Sequence, residues 1–248
     1  MLKHERTQQI LTLLSQRGSM TVEELCRELY VSAPTMRRDL NEMQRAGMLI
    51  RTHGGALPLS DGQIEMPIRM RNVLHMQEKL RLAKAAARLV RSGNVLFIDA
   101  SSTALRIIDH LTALDGLLVL TNSIQAMLLL QKYGIRTYCT GGAMIGQSLA
   151  LAGSAAERMI EDFNIDILFF SSRGVNAQGW IVDYGEEETE LRRKLIRKSA
   201  RRVFLCDQTK FGISCTYNVA RLCDVDDIIT DAPLPADYPT GKANCIVV

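Results

Sequence analysis

The 248-residue chain lacks the marks of several protein classes. Its first residues, MLKHERTQQI, are charged and polar where a secretory leader needs an apolar segment, so a cytoplasmic protein is expected. No run of sequence is hydrophobic enough to span a bilayer. The longest stretch without charge, 137–156, carries four glycines and several hydroxyl and amide side chains, and it reads as loop-rich core. The six cysteines, at 26, 139, 206, 215, 223 and 245, form no CxxC pair and have no histidine pair at zinc spacing. That argues against a metal site and a disulfide framework and fits reduced thiols. The terminal Cys-Ile-Val-Val outlines a prenylation box, but its last residue is atypical and no polybasic run precedes it. A strong charge of one sign is missing too. Thirty basic and 27 acidic residues leave +3, too even to announce nucleic acid or membrane, so any DNA site must be local.

What is present is ordinary globular composition, 47% apolar and 23% charged, in a chain long enough for one large or two smaller domains. From Glu5 to Gln16, Ile10, Leu11, Leu13 and Leu14 have helical spacing, and Gly18 ends the run. Thr21 and Glu24 form a capping box for a second helix with Val22, Leu25 and Leu29 on its apolar face. After Tyr30 and Val31 the chain turns, and Ser32 caps a third helix to about Ala46, with Leu40 and Met43 facing inward. This spacing is that of a helix-turn-helix. Ser32, Thr35, Arg37, Arg38 and Asn41 fall on or beside the outward face of the third helix, the part that enters a major groove in such motifs. Arginine pairs with guanine or phosphate, asparagine with adenine, and the hydroxyls with backbone phosphates. Behind it, Leu49 to Leu57 with Gly54-Gly55 predicts a hairpin that sets Arg51 and His53 against the DNA backbone. The competing reading is a packing module with solvated arginines, and the net charge of +2 over residues 1–57 does not separate the two.

Val31 to Leu40 and Gly47 to Ala56 resemble the DNA-binding part of the DeoR family of bacterial sugar-operon regulators, with Met36 where the family usually has Ile. The resemblance implies a winged helix-turn-helix domain over 3–58 that binds double-stranded operator DNA.

Between residues 59 and 77 the pattern weakens at Ser60-Asp-Gly62 and Pro67, which reads as a linker and hinge. Helical periodicity returns over 78–91. Apolar runs of strand length then alternate with helical stretches: 95–98, 117–120, 135–139, 167–170, 203–206 and 228–229. The fold class is therefore an N-terminal all-α winged helix-turn-helix followed by an α/β domain, 78–233, with a mostly parallel sheet covered on both faces. A tail follows over 234–248.

Ligands of such sheets collect at the carboxyl ends of the strands. Those ends deliver Asp99, Ser101, Ser102 and Thr103, a ready place for phosphate at a helix start; then Thr121, Asn122 and Ser123; then Gly141 and Gly142. Arg173 and Gly174 follow the fourth strand, Arg173 being suited to a phosphate or carboxylate, and Lys210 follows the fifth. The acidic start of the 186–200 helix offers a glutamate, Glu188, although most of that helix reads as a solvated face. Each loop alone is ordinary capping or turn chemistry, whereas four in succession point to one crevice. These residues also resemble the family's effector domain, which is similar in fold to ribose-5-phosphate isomerase and coenzyme A transferases. The resemblance implies a phosphorylated sugar or sugar derivative as effector. No cofactor and no membrane partner are expected, and because one helix-turn-helix buries little surface, a homodimer or homotetramer is expected. The resulting expectation is a transcriptional repressor of a sugar or sugar-alcohol operon. The rivals are a sugar-phosphate isomerase or acyl transferase with a DNA-binding appendage, and an adaptor whose large domain only oligomerises. Against the enzyme, the Asp-Gly-Ala-Asp-Glu segment of an isomerase site is missing, with Ser171-Ser-Arg-Gly174 in the comparable region.

Overall fold

The computed structural model describes residues 2–45, 48–58 and 66–248, in two compact units that divide between His75 and Met76. The first contains α1 (Lys3–Arg17), β1 (Met20–Thr21), α2 (Val22–Leu29), α3 (Ala33–Arg45), β2 (Ile50–Arg51), β3 (Gly55–Leu57) and α4 (Ile68–Arg71). Gly18, at φ +73°, ends α1 by donating its amide to the Leu14 carbonyl. The predicted capping box opens α2: the Glu24 amide donates to Thr21 Oγ1 at 3.1 Å and the Thr21 amide to Glu24 Oε2 at 2.7 Å. Tyr30, left-handed at φ +53°, makes the turn toward α3. Ile10, Leu14, Leu25, Met36 and Leu40 are fully enclosed between the helices, and a buried ion pair, Arg6 Nε to Asp39 Oδ2 at 2.5 Å, ties α1 to α3.

The wing has three strands where the sequence suggested two, because β1 joins the hairpin in the order β1-β3-β2. A Cβ on Gly55 would sit 2.0 Å from the Met20 carbonyl oxygen, so this close crossing admits only glycine. Ala46 and Gly47, at the expected end of the third helix, lie outside the described residues. So do 59–65, with the Ser60-Asp-Gly62 part of the expected linker. In the described part of that linker, α4 buries Met70 in the core of the first unit, and the next helix starts at Met76.

In chain order the second unit contains α5 (Met76–Ala87), β4 (Val95–Ile98), a 3-10 helix (Ala104–His110), β5 (Leu118–Thr121), α6 (Ile124–Lys132) and β6 (Arg136–Cys139). Then come β7 (Ala143–Ile145), β8 (Ala150–Ala152), α7 (Ser154–Glu161), β9 (Ile167–Phe170), β10 (Gly174–Val175), β11 (Trp180–Asp183) and α8 (Glu186–Lys198). The last strands are β12 (Arg201–Cys206), β13 (Tyr217–Arg221), β14 (Asp227–Thr230) and β15 (Asn244–Val247). Seven strands form one sheet in the order β15-β14-β12-β9-β4-β5-β6, and every pairing is parallel. Because successive side chains point to opposite faces, the strands feed two cores. Ile98, Val119, Phe169 and Leu205 pack with α5, the 3-10 helix and α6, while Phe97, Leu120, Phe170 and Phe204 pack with α7 and α8. Full burial of each such side chain contributes about 1.5–3 kcal/mol.

Three features differ from the sequence reading. The uncharged 137–156 stretch contains an antiparallel hairpin, β7–β8, and a small antiparallel sheet, β10-β11-β13, lies apart from the main one. The 234–248 segment is not a loose tail: β15 forms an edge of the parallel sheet in register with β14, and Tyr238 is buried, its hydroxyl donating to the Val175 carbonyl. Short strands carry too few residues for alternation to reveal them.

Candidate functional site

In the first unit, Met36, Asp39, Leu40 and Met43 turn inward, which leaves Arg37, Arg38 and Asn41 on the opposite, exposed face of α3. Among the described residues neither arginine makes a hydrogen bond or ion pair, so both guanidinium groups keep their full donor sets. Ser32 and Thr35 stand at the start of α3 with their hydroxyl oxygens 2.9 Å apart. In the wing, Arg51 Nη1 donates to the Gly55 carbonyl at 2.7 Å, so this residue braces the hairpin with part of its guanidinium. His53 lies exposed at the hairpin turn.

In the second unit, the loops after β4, β5, β6, β9 and β12 all leave the same edge of the sheet, because the strands are parallel. The sequence-selected side chains sit on these loops, and Asp99, Ser101, Ser102, Thr103, Thr121, Asn122 and Ser123 are all buried. Several of their polar atoms serve the backbone. The Asp99 carboxylate accepts from the Ser101 amide, Ser101 Oγ accepts from the Ala104 amide, and Ser123 Oγ caps α6 at the Ala126 amide. Thr121 Oγ1 donates to the Ile98 carbonyl and accepts from the Ser123 amide. The helix expected after Thr103 is a seven-residue 3-10 helix.

Gly141 and Gly142 are exposed, and both have positive φ. Gly142 is required by packing within the chain: a Cβ there would lie 2.4 Å from the Ala152 carbonyl oxygen. A Cβ on Gly174 would likewise lie 2.4 Å from Ile213 Cβ. Arg173 lies over the Tyr184 ring, 5.9 Å from its centre, and Lys210 Nζ donates to the Ser172 carbonyl. Burial pushes the Tyr184 hydroxyl up, partly offset by its hydrogen bond with Arg173.

The feature sequence reasoning missed is Arg192. Two turns along α8, on a helix that read as solvated, it is buried and donates from Nε to Asp99 Oδ2 at 3.0 Å and from Nη1 to Asp183 Oδ2 at 2.8 Å. Burial alone would lower its pKa; Asp183, Asp99 and Glu188 outweigh that and hold it raised. Glu188, four residues earlier on the same helix face, is 3% exposed and, among the described residues, makes no hydrogen bond or ion pair. The only signal in the sequence was the i, i+4 spacing of Glu188 and Arg192, which equally describes a surface pair. Thr103 Oγ1, Asn122 Oδ1 and Thr189 Oγ1 are among the buried oxygens that lack hydrogen-bond partners among the described residues. No helix among the described residues is long and apolar enough to cross a membrane.

Comparison with known proteins gives a consistent picture. Residues 6–61 match the DeoR-like helix-turn-helix domain and residues 74–232 the DeoR C terminal sensor domain. The HTH-type transcriptional regulator GolR of Listeria innocua is 34% identical over 93% of this chain and 91% of its own length. The glycerol-3-phosphate regulon repressor of Escherichia coli is 30% identical over 95% and 93%, and the HTH-type transcriptional repressor GlcR of Bacillus subtilis 33% identical over 93% and 89%. These relatives are named as regulators, not as enzymes. Among solved structures, ribose 5-phosphate isomerase A of Methanocaldococcus jannaschii is 21% identical over 54% of this chain and 53% of that one, at a TM-score of 0.41, a likeness too slight to bear on function. With both of its units matched, the chain belongs to the DeoR family of helix-turn-helix transcriptional regulators.

Proposed function

We propose that this regulator is a repressor of a carbohydrate operon whose grip on operator DNA is set by a phosphorylated sugar in the crevice at the sheet's carboxyl edge. On the DNA side, Arg37, Arg38 and Asn41 read base edges or phosphates, Ser32 and Thr35 hold phosphate at the start of α3, and Arg51 and His53 touch the adjoining backbone. The observation that carries this half is the pair of unengaged arginines on the exposed face of α3. One helix-turn-helix covers little DNA, so a homodimer or homotetramer on half-sites about 10 base pairs apart, or a multiple, supplies the affinity.

On the ligand side, the support is the set of buried polar groups around Asp99, Thr103, Asn122, Gly141, Gly142, Gly174 and Glu188, with Arg173 and Lys210 as the cations for phosphate. The names of relatives, a glycerol-3-phosphate regulon repressor among them, favour a phosphorylated carbon compound and repression. The effector acts by binding the DNA-competent and DNA-incompetent arrangements with different affinity, a coupling of roughly 1–3 kcal/mol being ordinary.

Fluorescence anisotropy with duplexes from the gene's own genomic neighbourhood tests the DNA half. Arg37→Ala or Arg38→Ala should each weaken binding by about 1–3 kcal/mol if the side chain reads a base, or flatten the salt dependence if it contacts phosphate. A double variant that binds like the parent protein removes α3 from the reading. For the ligand half, a bound effector at 100 times its Kd should stabilise the protein by about 2.7 kcal/mol in thermal melts. A panel of sugar phosphates that produces no shift removes the sensor reading.

A further inference from the structure

The turn between α2 and α3 carries a side chain that the fold of the first unit does not use. Tyr30 is one of three non-glycine residues with positive φ among the described residues. At φ +53° and ψ +45° it is left-handed, a conformation strained for a bulky side chain and easy for glycine. The backbone of the turn is fixed without the phenol. The amides of Tyr30 and Val31 both donate to the Cys26 carbonyl, and Leu29 and Val31 on either side pack against the core of the first unit. Glycine would make the same turn. The Tyr30 side chain is 95% exposed, more than any other large hydrophobic side chain among the described residues, and among them its hydroxyl makes no hydrogen bond and its ring no aromatic or cation contact.

The surface around it suits a polyanion. Residues 29–38, LYVSAPTMRR, contain two arginines and no acid, and Ser32, Ala33, Pro34, Arg37 and Arg38 are exposed along with Tyr30. Burial pushes the Cys26 thiol up while the Arg37 charge opposes that rise, which sets the Arg37 guanidinium beside the last turn of α2, where Tyr30 opens the turn. In a helix-turn-helix the second helix enters the major groove by its N-terminal half, so the turn leading into it comes beside the sugar-phosphate backbone at the groove's edge. Tyrosine is among the side chains that bond phosphate oxygens.

We infer that Tyr30 is a contact to the DNA backbone: its hydroxyl donates to a phosphate oxygen at the edge of the groove that α3 enters, and its ring lies against the adjoining deoxyribose. This rests on the operator-binding reading above and adds a residue that reading does not use. The strain in the turn is retained because it aims the phenol outward at the backbone. Since tyrosine carries no charge, the contact releases no counterion; since it touches no base edge, it serves operator and unrelated duplexes alike. Both properties separate it from the arginines of α3.

The test is fluorescence anisotropy of the full chain across a salt series, with a duplex from the gene's own genomic neighbourhood and an unrelated duplex, for the parent, Tyr30→Phe, Tyr30→Gly and the double variant Arg37→Ala, Arg38→Ala. Tyr30→Phe, which keeps the turn, should raise the Kd about three- to tenfold on both duplexes at an unchanged salt slope, the loss of one neutral hydrogen bond. Tyr30→Gly should bind at least as weakly, yet without DNA it should melt at the same temperature or higher, because the left-handed strain is gone. Parent-like binding by Tyr30→Phe overturns the contact even if Tyr30→Gly binds weakly, since the turn and not the hydroxyl would then be responsible. Weakened binding by the arginine double variant in that case leaves the operator reading standing; if it too binds like the parent, both fall. A loss in Tyr30→Phe that comes with a changed oligomeric state in sedimentation velocity assigns the side chain to a contact between copies and also overturns the proposal. Should Tyr30→Gly fail to fold, Tyr30→Phe decides alone.

Discussion

Replacing Arg192 by methionine should be among the most damaging single changes in the second unit. The side chain is buried, and its two bonds, 3.0 Å to Asp99 and 2.8 Å to Asp183, balance two largely buried carboxylates. Methionine keeps most of the apolar stem, so what is lost is the charge and its donors. Breaking a buried ion pair from one side typically costs about 3–5 kcal/mol, because the surviving charge is stranded. With a melting shift of about 2–4 °C per kcal/mol for a unit of this size, the second unit should melt roughly 6–20 °C lower, while the first unit's transition stays in place as an internal control. Differential scanning calorimetry reads both. Adding Asp99→Asn and Asp183→Asn to Arg192→Met should recover a large part of the loss, since no stranded carboxylate of the pair remains. A shift under 2 °C for Arg192→Met, or no recovery in the triple variant, would refute the view that this bridge is a mutually dependent charge cluster.

Two further outcomes test the fold around the site. Gly142→Ala places a Cβ 2.4 Å from the Ala152 carbonyl oxygen at a φ of +101°, so urea denaturation should show a loss of about 1–3 kcal/mol; parity with the parent would mean that the β7–β8 hairpin yields easily. Burial pushes the Asp226 carboxyl up, but hydrogen bonds from the Arg202 side chain and amide, at 2.7–2.8 Å, prevail and hold it below the usual carboxylate range. A depressed native pKa gives stability that is complete above the unfolded value of about 4 and vanishes as pH falls through the native one. Asp226→Asn should therefore be less stable than the parent at pH 7, with denaturation midpoints converging at strongly acidic pH; a constant gap across that range contradicts the linkage.

Much of the architecture was legible because it follows from local chemistry. The Thr21–Glu24 box, the Gly18 stop and the buried spacing of Met36, Leu40 and Met43 need only neighbouring residues to be understood. Central parallel strands such as β9 and β14 were visible as apolar runs because they are buried on both faces. What escaped depends on partners distant in sequence. Arg192 binds a carboxylate 93 positions away, and nothing in a charge-rich helix tells which of its arginines turns inward. Strands of two or three residues, such as β7 and β10, are set by pairing and not by pattern. The serines and threonines selected from the sequence lie on loops that leave one edge of the sheet. Composition could not divide those that cap backbone amides, such as Ser101 and Ser123, from those left unengaged, such as Thr103.

The edge position of β15 has a practical side. The Val248 amide donates to the Thr230 carbonyl, and its side chain packs against the apolar layer beneath the sheet. A purification handle fused directly after Val248 would pull on a hydrogen-bonded seam, and a protease that trimmed the last five residues would expose Ile229 and the flank of β14 to self-association.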